Sequence, residues 1–224
     1  MNRFSELPVF EGLSAKTLEA LFKKEHFRCY QKGEHLFRDH EKTALLFILL
    51  EGKAALYKIT ENGQKKVIFI LGPGEFLNTD VDSILPNSIS CEAFENAEVL
   101  CCEKDLIETL MQSDFKLTKK MMDASNRKIR RLYRQLKNAT GVIKIEKRVA
   151  AKLWKLGNDY GLLEEEGCLV DVEMSVTYLA DLMGSPRETI SRALKFLTAA
   201  GLITQKNKKI LIHDMKALAE FFKT

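Results

Sequence analysis

The sequence predicts an α+β protein: a small strand-built front domain, one long helix, and a compact helical domain closed by a hairpin. Three observations carry that reading. Short apolar or alternating runs broken by glycine fill much of residues 26–106. From Asp105 the apolar spacing changes to steps of three and four. The charge divides with it: residues 1–110 hold 13 Lys and Arg against 18 Asp and Glu, net −5, whereas residues 111–224 hold 22 against 13, net +9. An acidic front and a basic back point to a polyanion as the partner of the back half.

At 224 residues the chain suffices for one large domain or two smaller ones, and its composition is that of an ordinary globular protein. Its longest apolar stretches, such as "ALLFILLEG" at 44–52, are too short to span a bilayer. The N-terminus "MNRFSELPVFEGL" carries acids and lacks the apolar core of a signal peptide. The chain is therefore expected to stay in the cytoplasm, without membrane contact. Cys29, Cys91, Cys101, Cys102 and Cys168 form an odd, scattered set with no C-x-x-C pair. They read as buried thiols rather than a disulfide framework or a zinc site.

The front elements follow in order. A short helix is expected around Ala15–Lys24. "HFRCYQKGEHLFRD", "ALLFILLEGKAALYKIT", "KKVIFILGPGEFL" and "SISCEAFENAEVLCCEKDL" read as strands, with Gly33, Gly52, Gly63, Gly72 and Gly74 at the chain reversals. "ENG" at 61–63 has the form of an Asn-Gly hairpin turn. Seven or more strands in roughly 95 residues imply a small barrel or sandwich. Helices and strands do not alternate, which disfavours a nucleotide-binding parallel sheet. Cys101 and Cys102 should point to opposite faces of one strand, one in the core and the other exposed or facing the long helix.

That long helix carries a heptad seam: Phe115, Thr118, Met122, Ser125, Ile129, Leu132, Leu136 and Ala139. Basic residues, among them Arg127, Lys128, Arg130, Arg131, Arg134 and Lys137, lie between. Gly141 is placed to stop it. A sustained seam of this kind pairs with its twin, so a homodimer is expected through Met122, Ser125, Ile129, Leu132 and Leu136.

Beyond the hinge, "IEKRVAAKLWKLGND" reads as an amphipathic helix and "CLVDVEMS" as a strand. Helices over Ser175–Met183 and Pro186–Ala199 follow, separated by Gly184-Ser185, and "GLITQKNKKILIHD" closes as a hairpin. Two short helices across a glycine-bearing turn, followed by a hairpin wing, make a winged helix-turn-helix. In the second helix, with Arg187 as zero and about 100° per residue, Ser191, Lys195, Glu188 and Arg192 fall between about 40° and 140°. Ile190, Leu194, Leu197 and Ala193 fall between about 240° and 340°. Ser185 reads as the N-cap, with Pro186 in the first turn and Glu188 at its third position. Capping leaves Arg187, Ser191, Arg192 and Lys195 unexplained, whereas a DNA major groove explains them: an Arg fork fits the guanine acceptors and a carboxylate accepts from a cytosine amino group. Ser175 is placed to offer a phosphate its hydroxyl and a helix N-terminus. Lys206, Lys208 and Lys209 lie in the wing, where backbone contacts form.

"LADLMGSPRETISRALKFLTAAGLI" resembles the helix-turn-helix of the CRP/FNR superfamily of bacterial transcription regulators, its R-E-T-[IV]-x-R core standing here as Arg187 to Arg192. "YQKGEHLFRD", "FILLEGKAALYK" and "LGPGEFL" are similar to that family's cyclic-nucleotide-binding-type β-roll, a jelly-roll-like double-stranded β-helix. The resemblance covers essentially the whole chain. It implies an effector-sensing β-roll over 1–110, a dimerisation helix and hinge over 111–141, and a DNA-binding domain over 142–224. It further implies a homodimer on a pseudo-palindromic operator of TGA-type half-sites about 34 Å apart, with RNA polymerase as a further partner. Glu188 and Arg192 would read the inner bases, and Arg187 and Ser191 would add neighbouring contacts.

The family's cyclic-AMP binders carry G-E-[LI] and then an Arg-Ser or Arg-Thr pair. Here Gly74-Glu75-Phe76 is present, but Asn87-Ser88 stands where the pair should be, which removes the fork for a cyclic phosphate and disfavours cAMP. An iron–sulfur cluster is disfavoured because only Cys29 lies early in the chain, and haem because His26, His35 and His40 read as loop histidines. That leaves a small organic or anionic effector, which the resemblance places between the roll and the long helix, with Arg130, Tyr133 and Arg134 placed to line its pocket. A thiol-redox or haem sensor, and a cyclic-nucleotide-binding adaptor without DNA function, remain as alternatives. No catalytic motif supports an enzyme.

Overall fold

The computed structural model describes residues 3–61, 63–81, 85–139 and 144–223, with 137–139 as main chain alone. The turn residue Asn62 and the helix stop Gly141 lie outside the described residues. Two units divide the chain, Met1–Thr60 with Val67–Ala139, and Glu61–Lys66 with Thr140–Thr224.

The first unit opens with α1 (Ala15–Leu21) and a 3-10 turn (Lys24–His26), so the predicted helix to Lys24 ends early. Seven strands follow: β1 (Phe27–Tyr30), β2 (His35–Phe37), β3 (Leu45–Glu51), β4 (Ala54–Ile59), β5 (Lys65–Leu71), β6 (Ser90–Ala93) and β7 (Ala97–Glu103). They form two sheets, ordered β1-β7-β3 and β2-β6-β4-β5. The continuous apolar run of β3 is explained by burial on both faces. Leu46, Ile48 and Leu50 join Leu100 and Cys102 of β7 in a core shared with the helices, whereas Phe47 and Leu49 join Val99 and Cys101 inside the roll. Cys101 and Cys102 do point to opposite faces, and both are buried. Each large apolar side chain so buried contributes about 1.5–3 kcal/mol.

Helices α2 (Lys104–Ser113) and α3 (Phe115–Ala139) complete the unit. Asp114 separates them and caps α3. Its carboxylate accepts from the Lys116 N–H at 3.1 Å, the Ser14 N–H at 2.8 Å and the Thr17 hydroxyl at 2.8 Å, tying the starts of α1 and α3 together. The Ser14 amide, more than any other group, holds this carboxyl below its ordinary value.

Helix α3 has two working sides. Leu117, Met121 and Ala124 are buried against the front domain. Further along the same side, Gln135 Nε2 donates to the Ile68 carbonyl at 3.0 Å and Arg131 to that of Ile70 at 3.4 Å. These carbonyls belong to β5, the last strand of its sheet, so α3 satisfies an edge that would otherwise lie open. The heptad seam occupies another side and is left bare: Met122 is 58% exposed, Ile129 43%, Leu132 41% and Leu136 64%, with Thr118 and Ser125 half-buried between them.

In the second unit, α4 (Ile145–Tyr160) is followed by β8 (Gly161–Glu164) and β9 (Gly167–Val170). Then come α5 (Val176–Met183), α6 (Arg187–Ala199), the hairpin β10 (Ile203–Lys206) and β11 (Lys209–Ile212), and α7 (Met215–Lys223). The four strands form one antiparallel sheet ordered β10-β11-β9-β8. Val149, Leu153, Ile190, Leu194, Leu197 and Leu218 are buried where α4, α6 and α7 pack. Strand β8 and helix α7 are additions to the sequence reading. No helix among the described residues is long and apolar enough to cross a membrane.

Candidate DNA-binding face and effector site

Helix α6 is anchored from below. Ile190, Ala193, Leu194 and Leu197 are buried, and Gly184, in the left-handed region at φ 58°, ends α5 and donates its N–H to Ala180 and Asp181. The opposite side carries Arg187, Glu188, Arg192 and Lys195, all exposed, with Ser191 half-buried among them. None of the five makes a side-chain hydrogen bond or ion pair among the described residues. Glu188 and Arg192 stand one turn apart, yet they do not pair. A helix stabilised by its own salt bridges would have used them.

The start of α6 differs from expectation. Pro186, not Ser185, is the N-cap, and its carbonyl accepts from the Thr189 and Ile190 N–H groups. The Ser185 hydroxyl instead donates back to Met183 O at 3.5 Å, because the tight turn from Gly184 points it toward the preceding helix. Glu188 therefore sits in the first turn without a capping partner. Ser175 does cap α5, accepting from the Tyr178 N–H at 3.1 Å and keeping its own O–H proton for another acceptor.

The wing turns on Asn207 (φ 45°) and Lys208 (φ 66°), a two-residue hairpin of the kind that needs two left-handed residues. Lys208 presents its ammonium at the tip, with no side-chain partner among the described residues. Lys206 and Lys209 are differently placed: hairpin β8–β9 brings Glu166 to Lys206, and Asp171 lies 2.6 Å from Lys209. The Glu166 hydrogen bond holds the Lys206 ammonium above its ordinary value. Lys206 thus starts from an exposed, exchangeable ion pair and not as a free cation.

At the roll, Gly74 (φ 81°) donates its N–H to Leu49 O at 2.7 Å, and Glu75 closes the turn by accepting from the Gly72 N–H at 2.8 Å. Asn87 is buried. Its side-chain amide donates to Arg38 O at 3.2 Å and its main-chain carbonyl accepts from the His40 N–H at 2.8 Å, pinning a turn in which His40 adopts φ 65°. Ser88 is exposed. The expected helix residues require correction. Arg130, Tyr133 and Arg134 are exposed and make no described contact with the roll of their own chain. Lys128, Arg131 and Gln135 face it instead, because they continue the helical phase of Leu117, Met121 and Ala124. Lys128 donates to Leu77 O at 3.1 Å, and Arg131 lies 3.5 Å from Glu75 and 4.5 Å over the Phe69 ring. Burial depresses the Lys128 ammonium to about 8 despite the nearby Glu75.

Four of the five thiols are buried, and His26 and His35 are held by hydrogen bonds. Burial raises Cys101 to about 11 and Cys102 to about 12, and pushes Cys91 up as well, so none is poised as a thiolate. Cys29 is exposed and Cys168 buried. His26 Nδ1 lies 2.9 Å from Leu21 O, His35 Nε2 lies 2.7 Å from the Tyr57 hydroxyl, and His40 is exposed beside Asp39. Among the described residues no group of three or more His, Cys, Asp or Glu could hold a metal ion.

A β-roll in front and a helix-turn-helix with an uncommitted charged face behind define the class of DNA-binding regulator, and comparison with known proteins agrees. Residues 27–114 match the family described as cyclic nucleotide-binding domain, and residues 147–221 the family described as Crp-like helix-turn-helix domain. The "CRP-like cAMP-activated global transcriptional regulator" of Mycobacterium tuberculosis is 23% identical over 94% of both chains. The "Cyclic AMP receptor protein" of Thermus thermophilus is 26% identical over 95% of both. The c-di-GMP-responsive global regulator CLP of Xanthomonas campestris shares the fold, with a TM-score of 0.77 at 18% identity, over 90% of this chain and all of that one. The chain belongs to the CRP/FNR superfamily of transcription regulators and is a CRP-like DNA-binding regulator with a cyclic-nucleotide-binding-type domain.

Proposed function

We propose that the chain acts in the cytoplasm as a homodimer that reads a pseudo-palindromic operator and is gated by a small organic or anionic effector at its β-roll. The observation that carries this reading is the face of α6: four exposed charged residues without internal partners, on a helix whose other side is fully buried. Arg187, Glu188, Ser191 and Arg192 are the base-reading set. Lys195, Ser175, Lys208 and Lys206 contact phosphates, Lys206 by exchanging Glu166 for the backbone. The bare seam of α3 supports dimerisation, since an apolar stripe of this length exposed to water is stabilised by a second copy. Two copies related by a two-fold axis would meet TGA-type half-sites about 34 Å apart, with RNA polymerase as the further partner.

The relatives named for cyclic AMP do not transfer that ligand. Asn87 offers no cation for a phosphate diester, and its amide already holds the Arg38 carbonyl. Raised thiols weigh against a redox sensor, and the engaged His26 and His35 against haem. The test is selection of bound sequences from random duplex DNA, with sedimentation of the free protein. A two-fold symmetric consensus and a dimer are expected, with affinity falling about 10³- to 10⁵-fold between 50 and 200 mM salt for roughly 6–10 phosphate contacts. A monomer, or an asymmetric consensus spanning one half-site, refutes the reading.

A further inference from the structure

The wing holds two of its lysines in ion pairs, and one of those pairs is not what the sheet register alone would make. Lys206 stands directly opposite Lys209 in hairpin β10–β11, so both side chains leave the same face and their like charges oppose each other. Each is taken by a carboxylate. The register that pairs Val170 with Ile210 brings Asp171 beside Lys209, and the two meet at 2.6 Å. Glu166 is no such neighbour of Lys206. Cys168 pairs with Ile212, and Ile212 with Ile203, so the turn that carries Glu166 lies at the Ile203 end of the sheet. Lys206 lies three strand residues further on, about 10 Å, beside the wing tip. To meet Glu166 its side chain folds back along the sheet, away from Asn207 and Lys208. Both partners are exposed, so water can open the pair at little cost. The charged groups around it are Glu164, which also attracts Lys206, and His213, which bears on Glu166 and whose Nε2 lies 2.9 Å from the Thr204 hydroxyl.

We infer that Glu166 is a positioning residue that sets DNA affinity through Lys206: in the free protein it stands in for a backbone phosphate and holds the ammonium back until a phosphate displaces it. The inference rests on the DNA-binding reading above and adds a brake to it. A carboxylate and a phosphate diester each offer one negative charge and anionic oxygens, so the ammonium trades one charge-assisted hydrogen bond for another. What Lys206 adds to binding is then only the difference between two ion pairs. Lys208 has no side-chain partner among the described residues and brings its whole contact to the duplex. Salt dependence differs in the same way, because the liberated Glu166 carboxylate takes back part of the counterion release that the phosphate contact yields.

The experiment is a thermodynamic cycle on the full-length protein, read by fluorescence anisotropy on a random-sequence duplex titrated over salt. Glu166→Gln should tighten binding by about two- to fivefold per copy and steepen the salt slope by up to about one per copy. In the parent, Lys206→Gln should cost less affinity than Lys208→Gln. With Glu166→Gln in place the two costs should agree to within about twofold. In a Lys206→Gln background, Glu166→Gln should have no effect. Glu165→Gln removes the same charge from the neighbouring exposed position, which has no side-chain partner among the described residues, and should change affinity less than Glu166→Gln. All these side chains are exposed, so the variants should melt with the parent.

A gain from Glu166→Gln that survives in Lys206→Gln, or an equal gain from Glu165→Gln, would make Glu166 a general repulsive charge and overturns the inference. An unchanged affinity in Glu166→Gln overturns it too, and so does a lowered melting temperature, which would make the pair a tie of the fold. A parent that binds no duplex sinks the DNA-binding reading along with it, whereas DNA binding without coupling between Glu166 and Lys206 sinks this inference alone.

Discussion

Replacing Arg192 by alanine separates sequence reading from general attraction to DNA. Its side chain is exposed and has no partner among the described residues, so its removal should leave folding stability unchanged to within about 0.5 kcal/mol. On DNA, a base-reading arginine is worth about 1–3 kcal/mol per half-site. A dimer presents two copies, so the loss on the cognate operator is about 2–6 kcal/mol, roughly 30-fold to 2 × 10⁴-fold in Kd. On unrelated DNA only the charge is lost, which reduces the salt slope by about one per copy. Fluorescence anisotropy with the selected operator and a scrambled duplex, each titrated over salt, measures both terms. Equal losses on the two duplexes would reduce Arg192 to a phosphate contact. A large drop in melting temperature would instead make it part of the fold, and either result undoes the argument.

Asp114→Ala removes the shared cap of α1 and α3 and should cost about 2 kcal/mol at pH 7 by denaturant unfolding. Because hydrogen bonds lower its folded pKa, Asp114's contribution is complete above about pH 4 and fades as pH falls through the depressed folded value. The gap between parent and variant should close in acid, and a gap that widens there contradicts the assignment. His40→Gly relieves a Cβ from a left-handed turn and should stabilise by about 1 kcal/mol in thermal unfolding. A destabilised variant would mean that the His40 ring contributes more than its conformation costs. Iodoacetamide at neutral pH should label Cys29 first in the native protein, with Cys91, Cys101 and Cys102 reacting only on unfolding. Rapid native labelling of Cys101 or Cys102 would restore the redox alternative.

Much of this molecule was legible where burial is one-sided. The apolar and charged faces of α6 follow from residue spacing alone, and so does the alternation that splits Cys101 from Cys102. Strand β8 escaped because its residues are exposed, with Leu163 almost entirely so, and an outer strand that buries nothing carries no period-two signal. The ion pair of Lys206 escaped for the same reason, since its partner Glu166 follows that strand. The residues of α3 that meet the roll were obscured by chemistry. Lysine and arginine with buried stems resemble a solvated flank in sequence, and only the phase set by Leu117, Met121 and Ala124 picks out Lys128 and Arg131 from Arg130 and Arg134. Ser185 has the composition of a cap, but the turn after Gly184 gives that role to the proline beside it.

The rungs between α3 and β5 also constrain how the front unit can move. Four helical residues separate Arg131 from Gln135, about 6 Å along the axis, and two strand residues separate Ile70 from Ile68, about 6.6 Å, so the two ladders share nearly one pitch. A slide of α3 past the strand recovers its hydrogen bonds only after about one helical turn, and every smaller step strands carbonyls at the sheet edge. Travel along this track is stepwise, like a ratchet between detents, so displacement in this direction would come as a discrete change of register.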